Sequence, residues 1–426
     1  MRILYFVQYF NLPNEPGGSR PYQFARHWVR TGHDVTVITG AVNHKTLTVP
    51  RRYRGRLIVR EQVEGIRVLR VWSYAGIRGS FRKRLINFLT YAVTATLAGW
   101  VRGGKPDLIY ASSTPLTVGV PGLLVSLIKR AAFVFEVRDL WPQSAVVAGV
   151  LRDKALATRL ARGLARLLYR QAARVVAVTR GITEGLVDAG VAREKIVLVP
   201  NGVDHWMVPA GELPVAEPAE RFRVVYCGAH GRWNGLGQIL DAAALVLERE
   251  QIEFLFIGDG DERKALQERA AELGLERVRF IGALAKQEAF EQLRAGSAGV
   301  IVTWKHPFQR MVLANKLFDY MAAGRPVIVG AEGEMAEIVR EAGCGIVVAP
   351  EDPPALADAI VRLAELPADE RERLGRRARR FIIERYQRAD LAWKLLDEFG
   401  ALTGKSPGRS TGPQRAQPRL VSERDG

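Results

Sequence analysis

Short runs of β-branched and apolar residues alternate along this chain with longer segments of helical periodicity. Strands that alternate with helices in this way form parallel sheets with helices on both faces. Helices are predicted between the strands, for example at Pro21–Thr31 and Gly181–Ala189. In the first half we predict strands at Ile3–Val7, Asp34–Ile38, Ile66–Val71, Leu108–Ala111, Phe133–Val137, Arg174–Val178 and Ile196–Val199.

The alternation breaks at residues 200–204, Pro-Asn-Gly-Val-Asp, a turn-rich stretch that is typical of a hinge. A length of 426 residues also exceeds what one ordinary hydrophobic core holds. We therefore predict two α/β domains that face each other across a cleft, with ligands beyond the carboxyl ends of the strands. Beyond the break we predict strands at Arg223–Tyr226, Glu253–Ile257, Val278–Ile281, Gly299–Val302, Pro326–Val329 and Gly345–Val348.

The predicted domains span residues 1–200 and 201–385. Terminal helices are predicted at Arg376–Arg385 and Ala389–Leu402. From residue 403 to 426 the chain turns to Gly, Ser, Pro, Gln and Arg, a composition that predicts disorder.

Composition narrows the class of partner. The chain has 62 basic and 45 acidic residues, a net charge of +17, which suggests nucleic acid, an anionic membrane surface or a phosphate-rich ligand. Its two cysteines, Cys227 and Cys344, stand in apolar, glycine-flanked settings, so neither a disulfide framework nor a zinc site is expected. The apolar start predicts a buried strand rather than a signal peptide, and no stretch of about 20 apolar residues predicts a membrane span.

Two loops of the first domain follow predicted strands and carry candidate ligand-binding residues. Gly17 and Gly18 precede a helix, so their backbone can approach a ligand and the helix N-terminus can attract an anion. A tight strand–helix turn is the alternative. Arg138 and Asp139 follow the strand at 133–137, where they can bind polar ligand groups or pair with each other.

In the second domain, residues 226–235 follow a strand and open a helix. The glycines, the helix start and Arg232 of this segment suit a diphosphate, although a solvent-facing Arg232 explains the pattern too. Gly258 lies in a Gly-Asp-Gly sequence after the next strand. A ligand-binding loop and a simple turn explain this sequence equally well.

Lys316 and Asp319 lie one helical turn apart, within the sequence NKLFDYMAAGRPVIVG. The ammonium can bind a phosphate, and the carboxylate can accept hydrogen bonds from a pair of ribose hydroxyls. An ordinary salt bridge on an exposed helix face is the alternative. Leu317, Phe318 and Met321 indicate that much of this helix is buried, which favours the ligand.

The order and spacing of these motifs resemble the retaining glycosyltransferases of family 4, which have the GT-B fold. The resemblance covers roughly residues 1–400. The segment 136–144 and the Asn-Lys-Leu-Phe-Asp-Tyr-Met-Ala-Ala-Gly string are most similar to transferases of bacterial O-antigen and capsule assembly that transfer fucosamine-type sugars. The fold implies two Rossmann-like domains, with a helix at 386–402 that packs back on the first.

The resemblance also implies roles for the candidate residues. The second domain would hold the nucleotide sugar, with Asp319 on the ribose and Lys316 and Arg232 on the diphosphate. Gly258 would belong to the same donor site. The backbone of the Gly17-Gly18 loop would face the donor phosphate or sugar, and Asp139 would contact the transferred sugar or the acceptor.

Three departures from the family pattern matter. Many members carry two glutamates eight positions apart, but here the positions hold Met311 and Asp319. The basic residues of the family's phosphate loop fall near Ala229 and Asn234. The family's histidine falls on Arg138, and arginine cannot act as a base at neutral pH.

The chain is therefore expected to be a metal-independent transferase without a cofactor, its donor a nucleoside-diphosphate sugar, with UDP favoured by the resemblance. The expected acceptor is polyprenyl-diphosphate-linked or a saccharide. Basic amphipathic helices at 80–100 and 151–174 predict peripheral binding to an anionic membrane surface, on the inner face of the cell membrane, although core packing with a solvated basic face is the alternative. A nucleotide-sugar epimerase of the same fold is a second hypothesis. A nucleic-acid-binding protein is a third, which only the charge supports.

Overall fold

The computed structural model describes residues 1–12, 19–43, 48–75, 81–208 and 221–408. The chain divides into two compact units. The first comprises Met1–Pro200 together with the residues from Arg388 onward, and the second comprises Asn201–Gln387. Among the described residues, no helix combines the length and the apolar character needed to cross a bilayer.

Within its described residues, the first unit contains an eight-stranded sheet. Its neighbouring strands run parallel, except for the antiparallel pair at one edge formed by the third and fourth strands. The strands are β1 (Arg2–Val7), β2 (Asp34–Gly40), β3 (Ile58–Val63), β4 (Ile66–Val71), β5 (Leu108–Ser112), β6 (Ala132–Val137), β7 (Arg174–Ala177) and β8 (Ile196–Leu198), in the order β3-β4-β2-β1-β5-β6-β7-β8.

Helices α1 to α6 of the first unit lie between these strands along the chain, and α14 comes from the last described segment of the chain. They are α1 (Arg20–Arg30), α2 (Phe81–Arg102), α3 (Gly119–Lys129), α4 (Gln143–Val147), α5 (Leu156–Gln171), α6 (Arg180–Asp188) and α14 (Arg388–Thr403).

The second unit contains a parallel sheet, six-stranded in its described part, with the order β11-β10-β9-β12-β13-β14. Its strands are β9 (Phe222–Cys227), β10 (Ile252–Ile257), β11 (Val278–Gly282), β12 (Ala298–Val302), β13 (Val327–Gly330) and β14 (Gly345–Val348). Its helices are α7 (Gly237–Leu245), α8 (Arg263–Glu272), α9 (Lys286–Ala295), α10 (Asn315–Ala322), α11 (Glu334–Ala342), α12 (Pro353–Glu365) and α13 (Ala368–Arg385).

The strand order of the second sheet is that of a doubly wound Rossmann-like domain, and the first sheet contains the same order in β4-β2-β1-β5-β6-β7. The predicted α/β class is therefore confirmed. In such a sheet the chain reverses its winding direction at one point, where the loops after two neighbouring strands diverge and leave room for a ligand. In the second unit that point lies between β9 and β12.

Three local predictions need correction. Strand β3 was not predicted, because its sequence IVREQV is half charged or amide and only partly buried at the sheet edge. Helix α13 begins at Ala368, eight residues before the predicted start. Residues 403–408 lie in the predicted disordered tail, yet Thr403 ends α14 and the Lys405 ammonium lies 2.8 Å from the Asp107 carboxylate. Residues 409–426 lie outside the described residues.

Helix α14 returns to the first unit, as the GT-B fold implies. Trp28 of α1 is fully buried, and its indole Nε1 donates a hydrogen bond of 3.2 Å to the carbonyl oxygen of Ala392. Its ring packs edge-on against Phe399, with 5.4 Å between the ring centroids. A large aromatic side chain with its one donor satisfied thus joins α1 to α14.

A buried ion pair lies at the carboxyl edge of the first sheet. The Arg20 guanidinium donates to Glu136 Oε1 through Nε at 2.8 Å and Nη2 at 2.6 Å, and both side chains are almost completely buried. It also donates to the carbonyl oxygen of Val199, and Ser112 donates to the other carboxylate oxygen. Burial alone would raise the pKa of Glu136, but Arg20, Arg138 and these hydrogen bonds together lower it.

We expect Arg20→Met to destabilise the first unit by about 3–5 kcal/mol, because it leaves the Glu136 carboxylate buried without its cation. The free energy of unfolding from urea denaturation measures this. The double variant Arg20→Met/Glu136→Gln should lose less of this free energy of unfolding than Arg20→Met alone. Arg67→Met, which removes an exposed ion pair with Asp34, is the control and should cost less than about 1 kcal/mol. Equal losses for the two single variants would contradict the role assigned to the pair.

Candidate active site

The loops that follow β9 and β12 define the candidate site of the second unit, because they diverge at its topological switch point. The β9 loop continues through a single 3₁₀ turn at Arg232–Asn234 into α7. The β12 loop contains a 3₁₀ turn at Pro307–Met311 and leads into α10. Lys316 is the second residue of α10, so helix and loop together bring its side chain to this edge of the sheet.

Lys316 reaches back from α10 to strand β9 and its loop. Its ammonium donates a hydrogen bond to the Tyr226 hydroxyl at 3.0 Å and to the Asn234 amide oxygen at 2.8 Å. It also lies 4.6 Å from the centroid of the Tyr226 ring, within range of a cation–π interaction. Burial lowers the pKa of Lys316 to about 8. Since both hydrogen-bond partners are neutral, the site holds a positive charge that an anion can neutralise.

Glycine is required where the β9 and β10 loops meet. Gly258 has a φ of +140°, and a Cβ atom there would lie 1.8 Å from the carbonyl oxygen of Gly228. At Gly228 a Cβ atom would approach Lys316 Cε to 3.3 Å. The two loops therefore touch through bare backbone beside the lysine, which is the arrangement a close approach to a ligand requires.

His230 lies at the centre of the β9 loop and is fully buried. Its ring contacts the aromatic rings of Tyr226, Phe256 and Phe280, and its backbone N–H donates to the carbonyl oxygen of Asp259 at 3.0 Å. Burial, followed by the positive charge of Arg263, lowers its pKa to about 4. The ring is therefore neutral at pH 7, and its packing against these three aromatic rings supports the loop.

Asp319 follows Lys316 by one turn of α10, but the two side chains do not pair with each other. The polar contacts of Lys316 go to Tyr226 and Asn234, whereas Asp319 Oδ1 lies 4.0 Å from the ammonium of Lys286. The Asp319 side chain is 28% exposed. Its carboxylate is thus partly accessible, as a ligand for hydroxyl groups must be.

Arg232 and Asn234 are the first and last residues of the 3₁₀ turn in the β9 loop. The Arg232 residue is exposed, and its carbonyl oxygen accepts a hydrogen bond of 2.6 Å from Trp304 Nε1. It is Asn234 that reaches Lys316 from this loop. The structure therefore joins Lys316, Gly228 and Gly258 in one site and leaves the Arg232 side chain at its exposed margin.

The candidate residues of the first unit stand after β6. The backbone N–H of Arg138 donates to Ser113 Oγ at 3.0 Å, which fixes the start of this loop. Asp139 is half-buried, and burial raises its pKa while hydrogen bonds and the Arg138 charge oppose the rise. The unit thus presents a basic and an acidic side chain side by side. Gly17 and Gly18 lie outside the described residues.

Sequence reasoning missed Tyr226, Asn234 and Lys286 as members of the site. Each contacts α10 from a segment that is distant in sequence, and a residue pattern along the chain does not reveal such contacts. The Asn at 234 could have been noticed, since it stands at a basic position of the family pattern. Among the described residues, no group of three or more His, Cys, Asp or Glu side chains is arranged to hold a metal ion.

Comparisons with known proteins identify the family of the chain. The model of the glycosyl transferase 4-like domain matches residues 17–202, and that of the glycosyl transferases group 1 matches residues 221–365. A Pseudomonas aeruginosa protein named "Probable glycosyltransferase WbjE" is 28% identical over 62% of this chain and 68% of its own length. The lipopolysaccharide core biosynthesis glycosyltransferase LpsD of Rhizobium meliloti is 33% identical over 45% of this chain and 53% of its own.

A solved structure extends the likeness to the fold. HepE of Anabaena, in complex with UDP and glucose, is 21% identical and superposes with a TM-score of 0.69 over 94% of this chain and all of that one. The two family models together span both units of the chain, and the solved structure shares its architecture. The chain is a glycosyltransferase that belongs to family 4 and has the GT-B fold.

Proposed function

We propose that this enzyme transfers a sugar from a nucleoside diphosphate, with UDP as the carrier, to a lipid-linked or saccharide acceptor during surface polysaccharide biosynthesis. The observation that carries the proposal is the partly buried ammonium of Lys316 beside the bare backbone of Gly228 and Gly258. The named activity of LpsD in lipopolysaccharide core biosynthesis supports the pathway class, and the UDP in the HepE complex supports the carrier.

The donor would lie along α10 and the loops beside it. The diphosphate would be bound by Lys316, with Arg232 at the exposed margin of the site. The ribose hydroxyls would donate to the Asp319 carboxylate one helical turn away, and Gly228 and Gly258 would admit the ligand to the backbone. We propose that the transferred sugar is an N-acetyl amino sugar. Asp139 of the first unit would contact either this sugar or the acceptor.

The reaction breaks the bond between the anomeric carbon and the diphosphate oxygen and forms a bond from that carbon to the acceptor oxygen. Negative charge grows on the departing diphosphate, so the Lys316 ammonium binds the transition state more tightly than the ground state. The configuration would be retained if the acceptor attacks from the face that the diphosphate leaves, with the acceptor proton passing to the departing phosphate. Arg138 cannot accept a proton at neutral pH, so we assign it no role as a base.

Peripheral membrane binding is the second part of the proposal. More than half of the large apolar side chains that are exposed in the described chain lie on α2, α3 and α5 of the first unit. We call these the apolar face: Leu85, Ile86, Leu89, Val93, Leu97, Trp100, Val101, Leu124, Leu127, Ile128, Leu156, Leu160 and Leu167. Helix α3 packs against both α2 and α5.

The charge around the apolar face indicates the kind of surface it would bind. The sequences of α2, α3 and α5 contain no Asp or Glu. Exposed basic residues border the apolar side chains, including Arg82, Lys83 and Arg84 at the start of α2. Apolar side chains that enter the acyl boundary, with Lys and Arg at the headgroups, suit an anionic bilayer. A polyprenyl-linked acceptor would be reached from the same surface.

Lys316→Ala should lower kcat by about 100-fold or more, because it removes the charge that stabilises the leaving diphosphate. The measurement is transfer from a panel of nucleoside-diphosphate sugars to lipid-linked acceptors. Lys264→Ala, on the exposed face of α8, is the matched control and should retain activity. Wild-type kinetics in the Lys316 variant would remove this site from the mechanism, and interconversion of free UDP-sugars without acceptor would favour an epimerase.

The affinity for UDP should fall as the pH rises above about 8. Since burial lowers the pKa of Lys316 to about 8, the free enzyme carries the ammonium below that pH and loses it above. Binding of a diphosphate then requires proton uptake, at a cost that approaches tenfold in affinity per pH unit. Calorimetric titrations between pH 7 and pH 10 measure this, and Lys316→Met should bind weakly without that pH dependence. An affinity of the wild type that does not change across this range would contradict the assignment.

Flotation with liposomes tests the apolar face. The wild type should bind vesicles that contain anionic phosphatidylglycerol and float less with pure phosphatidylcholine or at high salt. Leu89→Glu combined with Leu97→Glu should reduce binding by about tenfold or more, because two half-exposed leucines no longer enter the bilayer. Leu245→Glu, which changes a leucine of α7 in the second unit that is at least as exposed, is the control. Vesicle binding that does not depend on anionic lipid, or that is unchanged in the double variant, would contradict the membrane role.

A further inference from the structure

Lys286, the first residue of α9, lies between two carboxylates of the second unit. Its ammonium donates a hydrogen bond of 2.7 Å to Asp204 Oδ2 and lies 4.0 Å from Asp319 Oδ1. The face of the Trp206 ring is 5.9 Å away, measured to the ring centroid. One cation is therefore shared by two acidic side chains that come from different parts of the chain.

The two carboxylates differ in how firmly they are held. The Asp204 side chain is 1% exposed and belongs to the Pro-Asn-Gly-Val-Asp segment. A backbone hydrogen bond holds this segment in place: the N–H of Val203 donates to the carbonyl oxygen of Tyr386 at 2.9 Å. A charge-assisted hydrogen bond to a buried carboxylate holds the Lys286 ammonium in place. The Asp319 side chain, in contrast, is 28% exposed.

The shared cation has a consequence for Asp319. Two carboxylates this close would repel each other and raise the cost of ionisation, unless a positive charge lies between them. Lys286 supplies that charge, and its ammonium attracts Asp319 Oδ1. Lys286, which Asp204 holds in place, therefore favours one orientation of the Asp319 carboxylate.

We propose that Lys286 is a positioning residue that orients Asp319 toward the ribose, and that it thereby sets the preference for a ribonucleoside over a 2′-deoxyribonucleoside donor. This inference rests on the proposed function, which places Asp319 on the ribose hydroxyls. Lys286 itself need not touch the nucleotide. Its effect is to make one orientation of a partly exposed carboxylate favourable before the ligand binds.

The test compares the binding of UDP with that of 2′-deoxy-UDP by calorimetry. The wild type should bind UDP about tenfold more tightly, since the 2′-hydroxyl donates to a charged acceptor. In Lys286→Met this preference should fall to within about threefold, as it should in Asp319→Asn. Lys286→Arg, which keeps the cation, should retain the preference, and so should Lys264→Met on α8.

A merely structural role would not change the ribose preference. Because Lys286→Met removes the cation beside the buried Asp204 carboxylate, the variant with Asp204→Asn added provides a second protein in which that buried negative charge is absent as well. If either folded variant keeps the wild-type preference, the inference is wrong. If the wild type binds UDP without any preference for the 2′-hydroxyl, the inference is also wrong, while the UDP-sugar transferase remains. If it binds neither UDP, ADP nor GDP, the proposed function itself fails.

Discussion

The candidate donor site depends on one partly buried ammonium that is held by neutral groups. Lys316 is desolvated between α10 and β9, and its partners are a hydroxyl and an amide oxygen rather than a carboxylate. Removing a charge from water without neutralising it costs free energy, which lowers the pKa of Lys316 to about 8. A diphosphate would recover that cost on binding. The glycines at 228 and 258 complete the arrangement, since they keep side chains away from the space beside the ammonium.

A second buried cation, Arg20, shows what a structural charge looks like in the same protein. Arg20 gives its donors to the Glu136 carboxylate and to the carbonyl oxygen of Val199. Both charges of that pair are satisfied within the first unit, so no attraction remains for an added anion. Burial alone therefore does not distinguish a binding residue from a structural one. The distinction lies in whether the partners are charged, and on that criterion Lys316 is the one suited to a ligand.

Sequence reasoning reached the fold because the period of the apolar residues decides the class of element, and short buried strands that alternate with helices leave few topologies. It missed strand β3, whose edge position removes the apolar run that marks a buried strand. It singled out Lys316, Asp319 and Gly258 as candidates, because Gly258 follows a strand and the two charges of α10 lie one helical turn apart. It missed Tyr226 and Lys286, because these residues meet α10 across about 90 and about 30 positions of chain, and a local pattern does not record such contacts. Asn234, in contrast, stands at a basic position of the family pattern and could have been noticed.

The two charges of α10 remain useful only because they do not neutralise each other. Lys316 and Asp319 have the spacing of a helical salt bridge, and pairing would have satisfied both. Instead, Lys316 turns toward β9, where neutral atoms hold it, and Asp319 lies beside Lys286, whose shorter contact is with Asp204. One helix thus offers a cation and, a turn later, an accessible carboxylate. A nucleoside diphosphate likewise joins an anionic diphosphate to a ribose that carries hydroxyl groups. The residues that keep Lys316 and Asp319 from pairing with each other therefore make the helix suited to that ligand.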